Sequence, residues 1–407
     1  MANGSTEKLS LKLQFGIYML GFSMFGAAAV SPAMGALQAA YPDTPLFIVT
    51  MLQTLPSLTV IVGALLAGAI VGKKIKYRTI AVIAMIIYGG FGVISTWVHP
   101  SIEVVLVWRA LSGFGNGLLF PLGSAVVLRF VQSKDARATY LGRAQAIGSG
   151  GGVVLTLLGG FLAAISWDFT FLAYIMVFVA LVLMLVCMTE PPTLDEVIAR
   201  NPEAASEGGN AKRVKLPALC WAFLALFMCY QLFQSLPLMT MPVIMGGVPG
   251  GDNPGLVGII FMFFSGASFL IAGFVDRFVK IFGKFTASVF WIVGAIGILL
   301  IAFGQSVVMF GVGMFILGLA IGIMVMTQFE LAQITTPAAM AWVASLTMVG
   351  TNLGNFLSSY WLGILQAIMG VDNLRGIVAV GAVGFVLCAV IWAVINIGNK
   401  AWKKKED

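Results

Sequence analysis

Charged residues are scarce in this chain of 407 amino acids, where Asp, Glu, Lys and Arg together make up only 10%. An ordinary soluble domain carries roughly 25% charged residues. Hydrophobic residues make up 60%, which is more than a soluble chain of this length can bury in its core. The shortage of charge therefore excludes an ordinary soluble protein and indicates that the lipid bilayer is the solvent of this chain.

Residues that bind metals or carry out catalysis are also few. His99 is the single histidine, and the four cysteines include no CxxC pair. The cysteines all lie within or at the edge of apolar runs: Cys187, Cys220, Cys229 and Cys388. We therefore expect no disulfide framework, no metal site and no cofactor. A membrane enzyme would need clustered His, Asp, Glu or Cys, and a primary pump a GxxxxGK[ST] loop, so we expect no catalytic residues and no nucleotide hydrolysis.

Twelve apolar runs are long enough to cross a bilayer, which takes about 20 residues of helix. In the first half they lie at about 14–37, 47–71, 80–98, 104–130, 144–164 and 169–188. In the second half they lie at about 216–244, 256–275, 285–303, 307–331, 340–365 and 377–397. These runs, numbered here as spans 1 to 12, predict an all-α integral membrane protein. Eleven spans is the alternative, because only a short polar break separates spans 9 and 10.

Basic residues mark one face of the membrane. Of the 23 Lys and Arg residues, 21 lie in the two terminal segments and in alternate loops, which leaves only Arg109 and Arg375. Basic loops are cytoplasmic by the positive-inside rule, so we expect both termini in the cytoplasm and an even number of spans. The pattern favours a twelve-span protein of the cell membrane. It also accounts for the net charge of +7 without a nucleic-acid partner.

One long polar segment, 189–215, divides the spans six and six. We interpret it as a cytoplasmic linker between domains 1–188 and 216–398, with 399–407 as a cytoplasmic tail. GxxxG pairs occur at corresponding positions of spans 4 and 5 and of spans 10 and 11, which favours an internal repeat. The pairs are Gly113/Gly117, Gly148/Gly152, Gly318/Gly322 and Gly350/Gly354. Chance is the alternative in a chain with 48 glycines.

Four short motifs resemble those of the major facilitator superfamily, and the likeness extends over the whole chain. Residues 68–78, GAIVGKKIKYR, resemble the loop signature after span 2, and Gly273-Phe-Val-Asp276-Arg277 is its fuller counterpart after span 8. Residues 109–115, RALSGFG, are similar to the RxxxGxG motif of span 4. The antiporter motif of span 5 is matched by the spacing of four glycines: Gly142, Gly151, Gly159 and Gly160.

The sequence departs from the family pattern at two places. Gly72 stands where the loop signature usually has an Asp, so the N-terminal version of that gate should be weaker than the C-terminal one. Leu155 and Thr156 replace the Gly-Pro of the antiporter motif. The nearest likeness is nevertheless to the drug-efflux-like members.

The resemblance implies a monomeric secondary transporter of a small organic substrate, working by alternating access between two six-helix bundles. Spans 1, 4, 7 and 10 would line its cavity, and the bilayer and a coupling proton or other ion would be its partners. It also implies a cytoplasmic gate in which Arg277, next to Asp276, pairs with Glu330, the only acidic residue inside a predicted span. The alternative is that Glu330 is a proton-coupling carboxylate.

Arg109 lies inside span 4, five residues from its outer start, and the only other basic residue within a predicted span is Arg129 at the cytoplasmic end of span 4. In one interpretation Arg109 snorkels to the interface towards Glu103 or Asp43. In the other it faces the central cavity on the same stripe as Asn116 and binds substrate. No acidic residue within spans 1 to 6 can neutralise it there.

Prolines interrupt spans 1 and 7 near their outer ends, at Pro32 and at Pro237 and Pro242. Interrupted helices at equivalent positions of two repeats indicate a substrate site near the membrane midplane. Amide side chains cluster nearby, because span 7 carries Tyr230, Gln231 and Gln234 on about one turn and span 11 carries Asn352 and Asn355. These groups can bind a substrate without buried charge. Hydrogen bonding between helices is the alternative for each of them.

An uncompensated Arg109 should make the cavity positive. The predicted substrate is therefore a small organic anion or a neutral amphipathic molecule with a polar acceptor. Proton-coupled multidrug efflux is the alternative within the same family. A channel or a membrane enzyme is the alternative of a different class.

Overall fold

A computed structural model describes residues 9–23, 26–72, 75–131, 134–192, 196, 216, 218–272, 274–321 and 340–397. A helix lies at each of the twelve predicted spans. Within the described residues, nine helical segments are long and apolar enough to cross a membrane, and two shorter apolar helices lie at Pro254–Ser268 and Val307–Ala320. Helices suit this solvent because each one satisfies its own backbone hydrogen-bonding groups, which lipid cannot do.

The first half of the chain contains seven α-helices. They are α1 (Leu11–Ser23), α2 (Met34–Ala40), α3 (Leu46–Ile70), α4 (Tyr77–Ile94), α5 (Ile102–Phe130), α6 (Lys134–Ile165) and α7 (Ile175–Cys187). A 3₁₀ helix, Gly26–Ala33, joins α1 to α2 within span 1 and contains Pro32. The predicted interruption of span 1 is confirmed, since proline lacks the N–H that a regular helix needs. A second 3₁₀ helix, Trp167–Tyr174, leads into α7.

The described residues of the second half form seven more α-helices. They are α8 (Ala218–Gly246), α9 (Pro254–Ala272), α10 (Val275–Phe282), α11 (Thr286–Ala302), α12 (Val307–Ile321), α13 (Met340–Met369) and α14 (Leu374–Ile397). The predicted interruption of span 7 was wrong, because α8 continues through Pro237 and Pro242. Pro237 cannot donate to the carbonyl of Phe233, four residues earlier. Gly381 of α14 lies close to this carbonyl oxygen. Packing of a neighbouring helix against the carbonyl that proline leaves unpaired allows a membrane helix to tolerate proline.

Contacts divide the chain into two compact units. The first comprises Met1–Val30, Leu55–Leu162 and Asp168–Ala211, and the second comprises Ser31–Thr54, Ala163–Trp167 and Lys212–Asp407. The boundary falls within α3, so one continuous helix contributes to both units. The second unit includes residues 31–54, which precede the predicted linker in sequence. The division into domains 1–188 and 216–398 stays a prediction.

Glycines allow equivalent pairs of helices to pack closely within each unit. In the first unit, an added Cβ at Gly117 of α5 would collide with the carbonyl of Val60 in α3. In the second unit, an added Cβ at Gly318 of α12 would collide with the carbonyl of Phe264 in α9. Span 4 therefore packs on span 2 just as span 10 packs on span 8.

The same correspondence holds for spans 5 and 11. Gly159 of α6 leaves no room for a Cβ beside the carbonyl of Ala29 in span 1. At Gly354 of α13 a Cβ would lie 2.8 Å from the carbonyl oxygen of Met228 in α8. Close glycine contacts of this kind drive helix association where lipid removes the hydrophobic effect. This packing agrees with the predicted internal repeat at Gly117, Gly318 and Gly354, whereas Gly350 of the predicted pairs has no atom within 4 Å of an added Cβ.

Arg375, one of the two basic residues outside the predicted cytoplasmic regions, caps a helix. Its guanidinium Nη1 donates to the carbonyl oxygens of Ala302 at 3.1 Å and Gly304 at 2.6 Å. These carbonyls belong to the C-terminal end of α11, where the helix leaves acceptors unpaired and carries partial negative charge. Arg375 thus joins the start of α14 to the end of α11.

Replacing Arg375→Ala should destabilise the second unit by about 1–3 kcal/mol, because charge-assisted hydrogen bonds to the helix end are lost. The thermal unfolding midpoint of the protein in detergent would measure this change. Arg375→Lys should retain part of the stability. The exposed Arg143 of α6 offers a matched control, and equal effects of Arg143→Ala and Arg375→Ala would contradict the capping role.

Candidate functional site

Arg109 lies in the interior of the first unit and is fully buried. Its guanidinium Nη1 donates to the hydroxyl of Tyr174, and its Cζ lies 5.5 Å from the centre of that ring. Complete burial contradicts the interpretation in which Arg109 snorkels to the aqueous interface. The hydrogen bond to Tyr174 instead joins α5 to the 3₁₀ helix of span 6.

The stripe of α5 that carries Arg109 faces α4. Ser112 donates to the carbonyl oxygen of Tyr88 at 3.0 Å, and the ring of Tyr88 meets that of Tyr174 edge to face at 5.3 Å. Asn116, seven residues from Arg109, shares this stripe and is half-buried. The structure therefore places the predicted Arg109 and Asn116 on one face of α5, and their contact with substrate stays a prediction.

Tyr230 packs into an aromatic cluster of the second unit. It is fully buried, and its ring packs against Phe385 at 4.9 Å, Phe227 at 5.6 Å and Trp291 at 5.9 Å. This aromatic cluster joins α8 to α11 and α14. Among the described residues, the Tyr230 hydroxyl has no hydrogen-bond partner, so Tyr230 contributes here through the packing of its ring.

Two of the predicted site residues, Gln231 and Asn355, lie at the contact between α8 and α13. Ser235, which the sequence analysis missed, donates to the Oδ1 of Asn355 at 3.0 Å and to the carbonyl oxygen of Gln231 at 2.8 Å. The Cβ of Gln231 lies 2.8 Å from the position of a Cβ on Gly354, so the two helices meet here. Gln234 and Asn352 lie three residues from Gln231 and Asn355 on the same two helices. We call these five residues the polar seam: Gln231, Gln234, Ser235, Asn352 and Asn355.

The residues of the polar seam differ in exposure. Gln231 and Gln234 are each 7% exposed, whereas Asn352 and Asn355 are half-buried. Asn352 donates to the carbonyl oxygen of Met348 in its own helix at 3.0 Å. The two asparagines of α13 are therefore the members that a small molecule can reach most readily.

Three hydroxyl groups form a buried cluster farther along α13, towards its predicted outer end. The hydroxyl oxygen of Ser359 lies 2.6 Å from that of Thr54 and 3.0 Å from that of Thr50. All three residues are fully buried, and Ser359 also contacts the sulfur of Met239 in α8 at 3.7 Å. This hydroxyl cluster joins the first turns of α3 to α8 and α13 within the second unit.

An apolar cluster lies one helical turn beyond the hydroxyl cluster. It consists of Leu46, Leu236, Leu362, Leu365 and Ile377, with Phe47 packed against it. Gly363 allows Phe47 to pack against α13, since a Cβ there would lie 3.0 Å from the ring. Apolar and hydroxyl contacts together bind the outer part of span 2 to spans 7 and 11.

The predicted cytoplasmic gate falls largely outside the described residues. Glu330 is not among them, and the side chain of Asp276 is not described. Arg277 is exposed near the start of α10, where its Cζ lies 5.9 Å from the ring centre of Phe274. The pairing of Arg277 with Glu330 stays a prediction.

Comparison with known families identifies the fold. Residues 14–359 match the model of the Major Facilitator Superfamily. The chain belongs to this superfamily. It is thus a multi-pass membrane transporter, and secondary transport by alternating access follows from its family. A search of curated protein sequences gave no significant match.

Solved structures of the same fold resemble this major facilitator protein at low sequence identity. The nucleoside transporter NupG is 13% identical with a TM-score of 0.73, covering 96% of this chain and 100% of NupG. The inward-open xylose transporter XylE from E. coli is 15% identical with a TM-score of 0.70, covering 92% of this chain and 94% of XylE. The peptide transporter POT, in complex with sulfate, is 13% identical with a TM-score of 0.68, covering 94% of both chains.

Proposed function

We propose that this transporter moves a small, neutral organic molecule rich in hydroxyl or carbonyl groups, and that it binds this substrate at the polar seam. The main observation in support of this proposal is the type of polar group in the polar seam. It offers only amide and hydroxyl groups, and α8 and α13 contain no charged residue. Amides both donate and accept hydrogen bonds, so they match hydroxyl-bearing solutes without the cost of burying a charge.

The placement of Arg109 also supports a neutral substrate. Its guanidinium already donates to Tyr174 and is fully buried in the first unit. An anion would have to displace this contact and cross a packed interior. Two of the similar structures, NupG and XylE, are named as transporters of nucleosides and of xylose, which are neutral, hydroxylated molecules.

We propose further that the hydroxyl cluster is the outer gate of the transport cycle. Asn355 of the polar seam and Ser359 of the hydroxyl cluster are four residues apart, about one helical turn along α13. Residues 46–54 of α3 belong to the second unit, while residues 55–70 belong to the first. Opening of this gate would break the hydroxyl contacts between α3 and α13 within the second unit. Each hydroxyl hydrogen bond contributes only about 1 kcal/mol, which a substrate-driven change can overcome.

Uptake by the purified full chain in proteoliposomes would test the substrate class. The panel contains radiolabelled uridine, D-xylose, benzoate and the permanent cation tetraphenylphosphonium, each with and without a proton gradient. We expect uptake of uridine or D-xylose above that of empty liposomes. Asn355→Ala should lower it about tenfold, because a lost polar contact of about 1.4 kcal/mol corresponds to that factor.

A matched control for this measurement lies on the same helix. Tyr360 of α13 is exposed and lies about 140° round the helix from Asn355, so Tyr360→Phe should leave uptake nearly unchanged. Exclusive uptake of benzoate, abolished by Arg109→Ala and partly kept by Arg109→Lys, would favour an organic anion instead. Transport of tetraphenylphosphonium unaffected by Arg109→Ala would reject both and favour multidrug efflux.

A further inference from the structure

A pocket opens on the first unit where span 3 begins and span 6 ends. Its lining comes from the first turns of α4, the last turn of α7 and the segment that follows α7. The residues are Lys76, Arg78, Thr79, Val82, Ile83, Leu185 and Glu190. The basic residues place this pocket at the predicted cytoplasmic surface of the membrane. It is separate from the polar seam and from the hydroxyl cluster, which lie in the second unit.

The polar end of the pocket carries an excess of positive charge. Glu190 accepts hydrogen bonds from the backbone N–H groups of Tyr77 at 2.8 Å and Arg78 at 3.2 Å. Its carboxylate therefore neutralises the positive N-terminal end of α4. Lys76 is exposed, and Thr79 adds an exposed hydroxyl. With Glu190 occupied by the helix end, Lys76 and Arg78 present two cations to any ligand in the pocket.

Arg78 is held in place by the opposite wall of the pocket. Its Nη2 donates to the carbonyl oxygen of Leu185, near the C-terminal end of α7. The guanidinium is only half-buried, and it has further N–H groups with which to bind an anion. The pocket thus has a fixed cation on one side and the flexible side chain of Lys76 on the other.

The membrane side of the pocket is apolar and continues as an exposed track. On α4, Ile83 is 41% exposed and Ile86 is 50% exposed. On α7, Val182 and Val186 are 58% and 62% exposed. The two helices pack against each other, and these exposed aliphatic side chains extend along both helices away from the cations.

We propose that this pocket binds an anionic phospholipid, with its phosphate at Lys76 and Arg78 and an acyl chain along the aliphatic track of α4 and α7. Charge complementarity favours an anionic headgroup, since basic pockets between membrane helices attract such lipids. The aliphatic track favours a lipid over a free phosphate, because a free anion would gain nothing from Ile83, Ile86 or Val182. The bound lipid would bridge the beginning of span 3 and the end of span 6.

Lipid selectivity of the full chain would test this proposal. The protein is reconstituted in phosphatidylcholine vesicles, and electron paramagnetic resonance compares the immobilised fractions of spin-labelled phosphatidylglycerol and spin-labelled phosphatidylcholine. Phosphatidylglycerol should associate preferentially. Lys76→Gln should reduce that preference about fivefold, because each basic residue near the membrane surface contributes about 1 kcal/mol, while Lys76→Arg should retain it.

Two further variants separate the pocket from general surface charge. Lys12 of α1 is an exposed cation outside the pocket, so Lys12→Gln should leave the preference unchanged. Ile83→Trp should block the track and reduce the preference with no change in charge. Equal loss in Lys12→Gln and Lys76→Gln would overturn the proposal. The proposal would also be overturned if excess inorganic phosphate displaced phosphatidylglycerol equally from the native protein and from Ile83→Trp. That result would indicate a site for a polar anion.

Discussion

Oxidation of the double variant Thr54→Cys/Ser359→Cys is expected to stop transport completely. The two hydroxyl oxygens lie 2.6 Å apart in the structure, so cysteines at these positions are close enough to form a disulfide. A covalent bond between α3 and α13 cannot open, whereas the native hydroxyl contact contributes only about 1 kcal/mol. Uptake of uridine or D-xylose should fall to the level of empty liposomes and return on reduction.

Each single variant, treated with the same oxidant, controls for reaction at the native cysteines and should keep most of its uptake. Hydrogen exchange provides a readout that needs no substrate. The disulfide should slow amide exchange in residues 46–54 and 355–365 by suppressing the opened state. Undiminished uptake by a fully cross-linked protein would show that the hydroxyl cluster does not open during transport.

Gly117→Val is expected to cause a large loss of stability. Gly117 of α5 meets the backbone of Val60 in α3 with no space for a Cβ, and Gly63 of α3 meets the carbonyl of Phe114 in the same way. A backbone cannot rotate aside as a side chain can, so the two helices must separate. Overpacking of this kind costs about 1–3 kcal/mol or more, and the thermal unfolding midpoint should fall by several degrees.

A second glycine of the same helix supplies the comparison. Gly123 of α5 has no atom within 4 Å of an added Cβ, so Gly123→Val should change the unfolding midpoint little. Gly117→Ala is a milder test if the valine variant does not fold, and it should still unfold at a lower temperature than Gly123→Ala. Equal stability of the two alanine variants would contradict close packing of α3 on α5.

The sequence predicted the helices well because membrane helices obey a strong local rule. A run of about 20 apolar residues must form a helix in lipid, since every backbone group needs an internal partner. The same reasoning failed at Pro237 and Pro242, where a neighbouring helix supports the proline-containing segment of α8. Whether a proline breaks a helix depends on that neighbour, and a single sequence does not contain its position.

The candidate site was predicted only in part. Gln231 and Asn355 do meet at the contact of α8 and α13, whereas Tyr230 packs into an aromatic core and Arg109 binds Tyr174. The hydroxyl cluster was missed altogether. Thr50 and Thr54 are four residues apart on span 2, which places them on one helical face, and this spacing was the available signal. Isolated hydroxyl groups are common in apolar helices, however, and their partner Ser359 is about 300 residues away in sequence.

The sequence by itself determined the solvent, the class of fold, the order of the spans and the family, because composition, run length and short motifs are local properties. It also identified the glycines at which equivalent helices meet in the two halves. Tertiary structure alone decided which partner each polar side chain meets. The direction of a side chain on its own helix follows from its position in the sequence. Packing between distant segments decides which neighbouring helix lies in that direction. Arg109, Tyr230 and Ser359 therefore acquired their partners only in the folded protein.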